Sequence, residues 1–247
     1  IATLPVQDRT ELSLSLLLPG TSVDVTRPKR NAANIGAGVT TSGTTYLVDG
    51  LSNAVAKSGE QRHDIPLYDI SPFLQHAIVA TEDKRFYRHP GIDPIGLMRA
   101  AWVNLNAGRV VQGGSTITQQ VAKNFLVGNE RSFDRKIREA LISFRIEGAY
   151  TKEHILELYL NEIYLGLGNY GVAAAALNYF NKSVNELTIA EAAYLAALPK
   201  GPNNYHPFQH RERAIERRNY VIDRMEADGF ITKEEATKAK ADPLGVN

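Results

Sequence analysis

The stretch Ser71-Pro72-Phe73-Leu74-Gln75-His76-Ala77-Ile78-Val79-Ala80-Thr81-Glu82-Asp83-Lys84-Arg85-Phe86-Tyr87 decides the fold class. Ser71 supplies an N-cap, and Pro72 occupies the first helical position, where its missing N–H breaks no helical bond. Leu74, Ile78 and Glu82 then fall at i, i+4 and i+8, one line along a helix. The spacing predicts a helix over 72–82 whose apolar stripe ends in an inward-facing carboxylate. An acid at the edge of an apolar face is desolvated, which raises its pKa and makes it a better proton acceptor at neutral pH. The plain structural alternative is a helix-end Glu82 paired with Lys84 or Arg85.

Working outward, the signals stay helical to the C-terminus. Thr188 with Glu191 and Thr232 with Glu235 are spaced as capping boxes. Apolar periodicity places helices at about 72–82, 94–106, 115–125, 133–149, 152–160, 170–179, 188–197, 209–228 and 232–240. Upstream the composition changes. Residues 1–45 are rich in Ser, Thr, Gly and Asn, and Pro5, Pro19 and Pro28 interrupt any long helix, so short strands and loops are expected. Between Tyr46 and Ile65, the β-formers Tyr46, Leu47 and Val48 meet Asp49-Gly50 and Ser52-Asn53, then Ala54-Val55-Ala56, which reads as a hairpin. The fold class is therefore mainly α with a short β hairpin near the N-terminus. The chain divides into an atypical, strand- and loop-rich segment over 1–45 and one helical domain over 46–247.

Composition narrows the function classes. With 247 residues, 43% hydrophobic and 22% charged, a sizeable core is available. Lys and Arg number 28 against 27 Asp and Glu, so no global field points to nucleic acid. Charge is local instead: from Glu82 to Glu139 ten Lys/Arg face six Asp/Glu. The absence of cysteine excludes disulfides, thiolate metal sites and Cys nucleophiles. No run reaches the roughly 18 to 20 apolar residues of a membrane span, and the start lacks the basic and apolar regions of a signal peptide. The chain reads as soluble or as cut from an anchor. The six histidines show no metal-binding spacing, and His89 reads as a structural, hydrogen-bonded residue.

Two further stretches carry chemistry. Gly113-Gly114-Ser115-Thr116-Ile117-Thr118-Gln119-Gln120 joins a flexible entry to hydroxyls at a helix start and two amides in its first turns, a layout suited to oxyanions and sugar hydroxyls. An ordinary N-cap after a glycine turn explains the hydroxyls but not the paired glutamines. Downstream come Lys123, Arg131, Arg135, Lys136 and Arg138. A helix from Phe133 lines Lys136, Glu139 and Ser143 along one side, with Phe133, Ile137, Ala140, Leu141 and Phe144 expected as its core face. Ile142 and Ile146 keep the Glu139 side apolar too, so Glu139 is expected partly buried. These cations read either as a solvated face with pairs such as Arg135 to Glu139, or as a diphosphate site that neutralises a leaving pyrophosphate without a metal. Ile95, Leu97, Met98, Ala100, Ala101, Trp102, Val103 and Leu105 form an apolar helix broken by Arg99 and Asn104, either buried in the core or resting on a membrane.

These residues carry a resemblance. Glu82-Asp83-Lys84-Arg85-Phe86-Tyr87 with His89, Gly91 and Asp93 resembles the first signature of the family 51 glycosyltransferases. These are the glycan-polymerising domains of class A penicillin-binding proteins and of monofunctional peptidoglycan glycosyltransferases. Gly113 to Gln120 is similar to the second signature, and Arg135, Lys136 and Glu139 to the third. Ile155-Leu156-Glu157-Leu158-Tyr159-Leu160-Asn161 with Tyr164, Gly166, Gly168 and Gly171 matches the fourth. Glu191-Ala192-Ala193-Tyr194-Leu195-Ala196-Ala197-Leu198-Pro199 with Pro202 matches the fifth. The signatures span roughly Asp64 to Val246 and leave out residues 1–45. No Ser-x-x-Lys or Lys-Thr-Gly of a transpeptidase follows.

The resemblance implies a lysozyme-like fold with a larger lobe and a smaller membrane-facing jaw. It implies transfer from a glycan on undecaprenyl diphosphate to lipid II through a β-1,4 bond, with inversion. Glu82 is then the general base and Glu139 acts on the donor side. Lys123, Arg131 and Lys136 hold phosphates, Ser115 and Gln120 contact donor sugar or phosphate, and Asp83 supports the site. No cofactor is required, although Asp83 leaves room for a weakly held divalent cation such as Mg. The implied partners are lipid II, the growing glycan-lipid diphosphate, the bacterial membrane surface and moenomycin-type inhibitors. The implied location is the periplasmic face of the inner membrane. Two other readings compete: a lysozyme-like glycan-cleaving enzyme, against which the phosphate-binding set argues, and a non-catalytic lipid II-binding module.

Overall fold

A computed structural model of the chain describes residues 21–24, 32–35, 45–48, 51–54, 65–109, 113–124 and 133–246. Two antiparallel strand pairs lie at the N-terminal end. β1 (Thr21–Asp24) pairs with β2 (Ala32–Ile35), and β3 (Thr45–Val48) pairs with β4 (Leu51–Ala54). Val48 sits opposite Leu51, so β3 and β4 pair as the expected hairpin does, while the Asp49-Gly50 turn signal lies outside the described residues.

Helices dominate the rest. They are α1 (Pro72–Glu82), α2 (Pro94–Ala107), α3 (Ile117–Asn124), α4 (Phe133–Ala149), α5 (Lys152–Glu162), α6 (Val172–Phe180), α7 (Ile189–Ala197), α8 (Arg211–Ala227) and α9 (Lys233–Ala241). Each falls within a few residues of its predicted range. Both expected capping boxes form, at Thr188/Glu191 and Thr232/Glu235, and Ser183/Glu186 adds a third over a short 3-10 turn. Ser71 is the N-cap of α1 with Pro72 behind it, but its side chain makes no capping bond. Among the described residues no helix is long and apolar enough to cross a membrane.

The chain divides into two compact units. The larger takes residues 63–89, 93–117 and 151–247. Its centre is α7, in which Ala190 and Ala192 to Ala197 are all buried. A helix with so many alanines on every side admits close neighbours, and α1, α8, α6 and α9 all pack on it. The core side chains Leu74, Ala77 and Ile78 of α1 meet this centre, which confirms the apolar stripe read from their spacing. Arg218 of α8 is fully buried, and its guanidinium donates to the carbonyls of Lys240, Asp242 and Pro243. Those bonds satisfy the orphan carbonyls at the end of α9.

The other unit takes residues 1–62, 90–92 and 118–150, with α4 as the longest helix among its described residues. Here one expectation fails. Ile137, Leu141 and Phe144 are exposed, and the inward line of α4 is instead Glu139, Ile142, Ser143 and Ile146. The sequence offers two apolar stripes on this helix, and local packing selects one. Gly91 presses on it closely, since a Cβ there would lie 3.0 Å from the Ser143 carbonyl oxygen. Thr118 Oγ1 also donates to Glu147 Oε1 at 2.6 Å. Both contacts turn the Ser143 side inward.

Candidate active site

In the larger unit, Glu82 is the last residue of α1 and is partly buried. The two cations that follow it face other acids. Lys84 Nζ pairs with Asp228, and Arg85 Nε lies 3.5 Å from Asp93 Oδ1. Both cations that spacing alone offered to Glu82 therefore have acid partners in other segments. The Glu82 charge is also felt by Tyr159 and Lys200. Burial drives the Tyr159 phenol well above its usual range, and the Glu82 and Asp83 charges add to that. Lys200 is lowered first by burial and then by the Arg217 charge, while Glu82 opposes the shift. A carboxylate is therefore gathered with an ammonium and a phenol that stays protonated at neutral pH.

Asp83 sits one residue past the helix end and is 6% exposed. Its Oδ2 lies 2.8 Å from His89 Nε2 and accepts the Ile117 N–H at 3.0 Å. The His89 carbonyl in turn accepts from Lys152 Nζ at 2.7 Å, and that ammonium stands 4.5 Å over the Phe86 ring. This web ties the turn after α1 to the first residue of α3. The geometry gives His89 the structural, hydrogen-bonded part expected of it.

The Gly113-Gly114 entry packs on α2, where a Cβ at Gly114 would lie 2.7 Å from Leu97 Cδ1. Ser115 is partly buried just before the first turn of α3. α2 itself is no core helix. Ile95, Leu97, Met98, Trp102 and Leu105 are exposed, and of its residues Ala100 alone is buried. Asp93, Pro94 and the left-handed Gly108 delimit it.

In the other unit, Glu139 is 3% exposed and its Oε1 accepts from Lys136 Nζ at 2.7 Å. Ser143 Oγ donates to the Glu139 carbonyl at 2.7 Å. The i, i+3 and i+7 line of Lys136, Glu139 and Ser143 is therefore one side of α4, as the spacing predicts. Lys123 is exposed at the end of α3, with Gln120 partly buried one turn before it and Gln119 buried. Arg131 lies outside the described residues.

Sequence reasoning missed Lys200. It stands in the short turn Leu198–Lys200 directly after α7, between Pro199 and Pro202, which the fifth signature quotes. Its position beside the signature prolines was the available signal, but nothing in the linear pattern brings it to Glu82.

Comparison with known proteins identifies the family. The family described as Transglycosylase matches residues 49–226. Penicillin-binding protein 1A of Aquifex aeolicus (strain VF5) is 54% identical over 187 residues, covering 76% of this chain and 26% of that protein. Penicillin-binding protein 1A of Escherichia coli (strain K12) is 46% identical over 203 residues, covering 82% and 24%. The crystal structure of penicillin-binding protein 1A from Haemophilus influenzae shares 30% identity over 76% of this chain and 18% of that one, with a TM-score of 0.45. The chain spans about a quarter of the length of these curated relatives. The matched range runs from residue 49 almost to the end of α8 and takes in Glu82, Glu139 and Lys200, so the chain belongs to the transglycosylase family.

Proposed function

We propose that this chain polymerises lipid II into β-1,4-linked glycan, with Glu82 as the general base. The observation that carries the reading is the setting of that carboxylate: Glu82, partly buried, ends the buried stripe of α1 within electrostatic reach of Lys200. In the reaction the acceptor 4-hydroxyl oxygen attacks the donor anomeric carbon, and the bond from that carbon to the diphosphate oxygen breaks. The hydroxyl proton passes to the Glu82 carboxylate, and undecaprenyl diphosphate leaves with the bonding electrons. Attack opposite the leaving group inverts α to β.

Lys136, Lys123 and Arg131 neutralise the diphosphate, and Ser115 and Gln120 bind donor sugar or phosphate. Glu139 holds Lys136 at 2.7 Å, so its part in this scheme is to orient a cation. Asp83 acts through the Glu82 backbone rather than on substrate. These protein cations serve where a resident metal would otherwise be needed, and weak stimulation by Mg is compatible with the scheme. The exposed stripe Ile95, Met98, Trp102 and Leu105 on α2 suits shallow insertion into a bilayer that presents the lipid-linked substrates. A surface of this kind suits the periplasmic face of the inner membrane.

The test is a lipid II polymerisation assay on this chain and on Glu82→Gln, alongside binding of moenomycin, a mimic of the donor. Glycan made by the parent, none by Glu82→Gln, and moenomycin affinity kept within about three-fold support the assignment. Substantial polymerisation by Glu82→Gln removes Glu82 as the base.

A further inference from the structure

Between α5 and α6 the chain makes a tight hairpin, Ile163 to Gly171, closed by a bridge between Tyr164 and Tyr170. Its inward side is braced at every turn. Leu165 N–H donates to the Asn169 carbonyl, Asn169 N–H to Gly166, and Gly171 N–H to Ile163, each at 2.9 Å. Tyr179 Oη donates to the Leu165 carbonyl at 2.8 Å, and the buried Asn169 side chain is held by Gly166 and Asn178. Gly171 leaves no room for a side chain, since a Cβ there would lie 2.4 Å from the Asn161 carbonyl oxygen.

The outward side is of another kind. Tyr164, Leu167 and Tyr170 are 39%, 55% and 52% exposed. The two rings lie 4.9 Å apart, tilted by 43°. Leu167 has a φ of 51°, a left-handed conformation unfavourable for a residue with a branched apolar side chain. Packing of the Leu167 side chain does not account for that backbone, because most of it faces solvent. So rigid a support for three large, solvent-facing side chains is a feature of binding surfaces rather than of cores.

The hairpin also packs against the turn that follows Lys200. A Cβ at Gly166 would lie 2.9 Å from Pro202 Cβ, so the hairpin rests on the Gly201-Pro202 turn. Lys200, one residue before that turn, is the cation that senses Glu82. Hairpin and base therefore share one support within the same unit.

We infer that the exposed faces of Tyr164, Tyr170 and Leu167 form a saccharide subsite that carries N-acetylhexosamine units of the glycan strand away from the reacting pair. The occupant follows from chemistry. A pyranose presents an apolar face of C–H bonds that packs on aromatic rings, while its edge of hydroxyl and acetamido groups meets phenolic hydroxyls. Two tyrosines beside an apolar leucine supply both, and no charge is needed for a neutral sugar backbone. A strand held here stays close to the base between additions, so the subsite governs product length.

This inference rests on the polymerase reading, and two measurements separate their fates. The first compares product length at matched lipid II consumption for the parent, Tyr164→Ala/Tyr170→Ala and Tyr164→Phe/Tyr170→Phe. The second measures binding of N-acetylchitotetraose by NMR to the same three chains, each checked for native circular dichroism. The alanine pair is expected to make strands shortened about two-fold or more and to bind the tetrasaccharide about five-fold more weakly, with the phenylalanine pair, which keeps the rings and loses the hydroxyls, between it and the parent. Unchanged product length together with unchanged tetrasaccharide binding in the alanine pair overturns the subsite and leaves the polymerase intact. Tetrasaccharide binding lost in the alanine pair, from a parent that turns over no lipid II, overturns the polymerase and keeps the saccharide site.

Discussion

Asp83 and His89 meet at 2.8 Å between Oδ2 and Nε2, both side chains shut off from solvent, and the same carboxylate oxygen takes the Ile117 N–H. One buried oxygen thereby joins the end of α1, the turn that follows it and the first residue of α3. Asp83→Ala leaves two buried donors without an acceptor, so unfolding in urea should show a loss of about 2 to 3 kcal/mol. Asp83→Asn, which keeps one acceptor, should lose less. Equal stability of the parent and Asp83→Ala would contradict the clamp.

Gly171 and Gly168 separate steric overlap from backbone strain. Both have φ near 80°, but a Cβ meets the Asn161 carbonyl only at Gly171, whereas nothing lies within 4 Å at Gly168. Gly168→Ala should cost about 1 kcal/mol, the strain of a left-handed alanine. Gly171→Ala should cost clearly more, because backbone has to move. Thermal melts of the two variants make the comparison, and equal losses would refute the close approach.

Lys136 is exposed, whereas its partner Glu139 is buried. Lys136→Ala should weaken moenomycin binding about ten-fold through loss of a cation that meets phosphate. Lys136→Arg should retain much of the affinity. An unchanged dissociation constant for Lys136→Ala would remove it from the phosphate set.

Lys200 gives a titration with a defined sign. Burial and the Arg217 charge hold its pKa below the usual 10.5, against the pull of Glu82. The folded chain then binds fewer protons than the unfolded chain between the two pKa values. Lys200 accordingly lessens stability below its folded pKa, and that effect fades as the pH rises towards 10.5. Glu82→Gln removes the opposing charge, so the Lys200 resonance of a 13C-methylated sample should titrate lower still. A rise, or no change, would mean that Glu82 does not face Lys200.

Much of the site was legible along the chain. Leu74, Ile78 and Glu82 are on one line of α1 because helical periodicity follows from backbone geometry alone, and the capping boxes at Thr188 and Thr232 are equally local. Lys136, Glu139 and Ser143 share a side of α4 for the same reason. What escaped was every choice between two locally equivalent options. α4 carries an apolar line at Ile137, Leu141 and Phe144 and another at Ile142 and Ile146, and its own periodicity does not rank them. Gly91 and Thr118, distant in sequence, turn the second line inward. α2 posed the same choice between core and surface, and its large apolar side chains prove to be exposed.

By itself, then, the sequence determined the helices, their caps and the facing of Glu82 and Glu139, since these depend on residues within a turn or two of one another. Tertiary structure alone decided which partners Lys84 and Arg85 take, where Asp83 spends its oxygen, and that Lys200 comes to Glu82. Those outcomes depend on groups separated by tens of residues, brought together by the burial of α7 among its neighbours, and no local spacing encodes them.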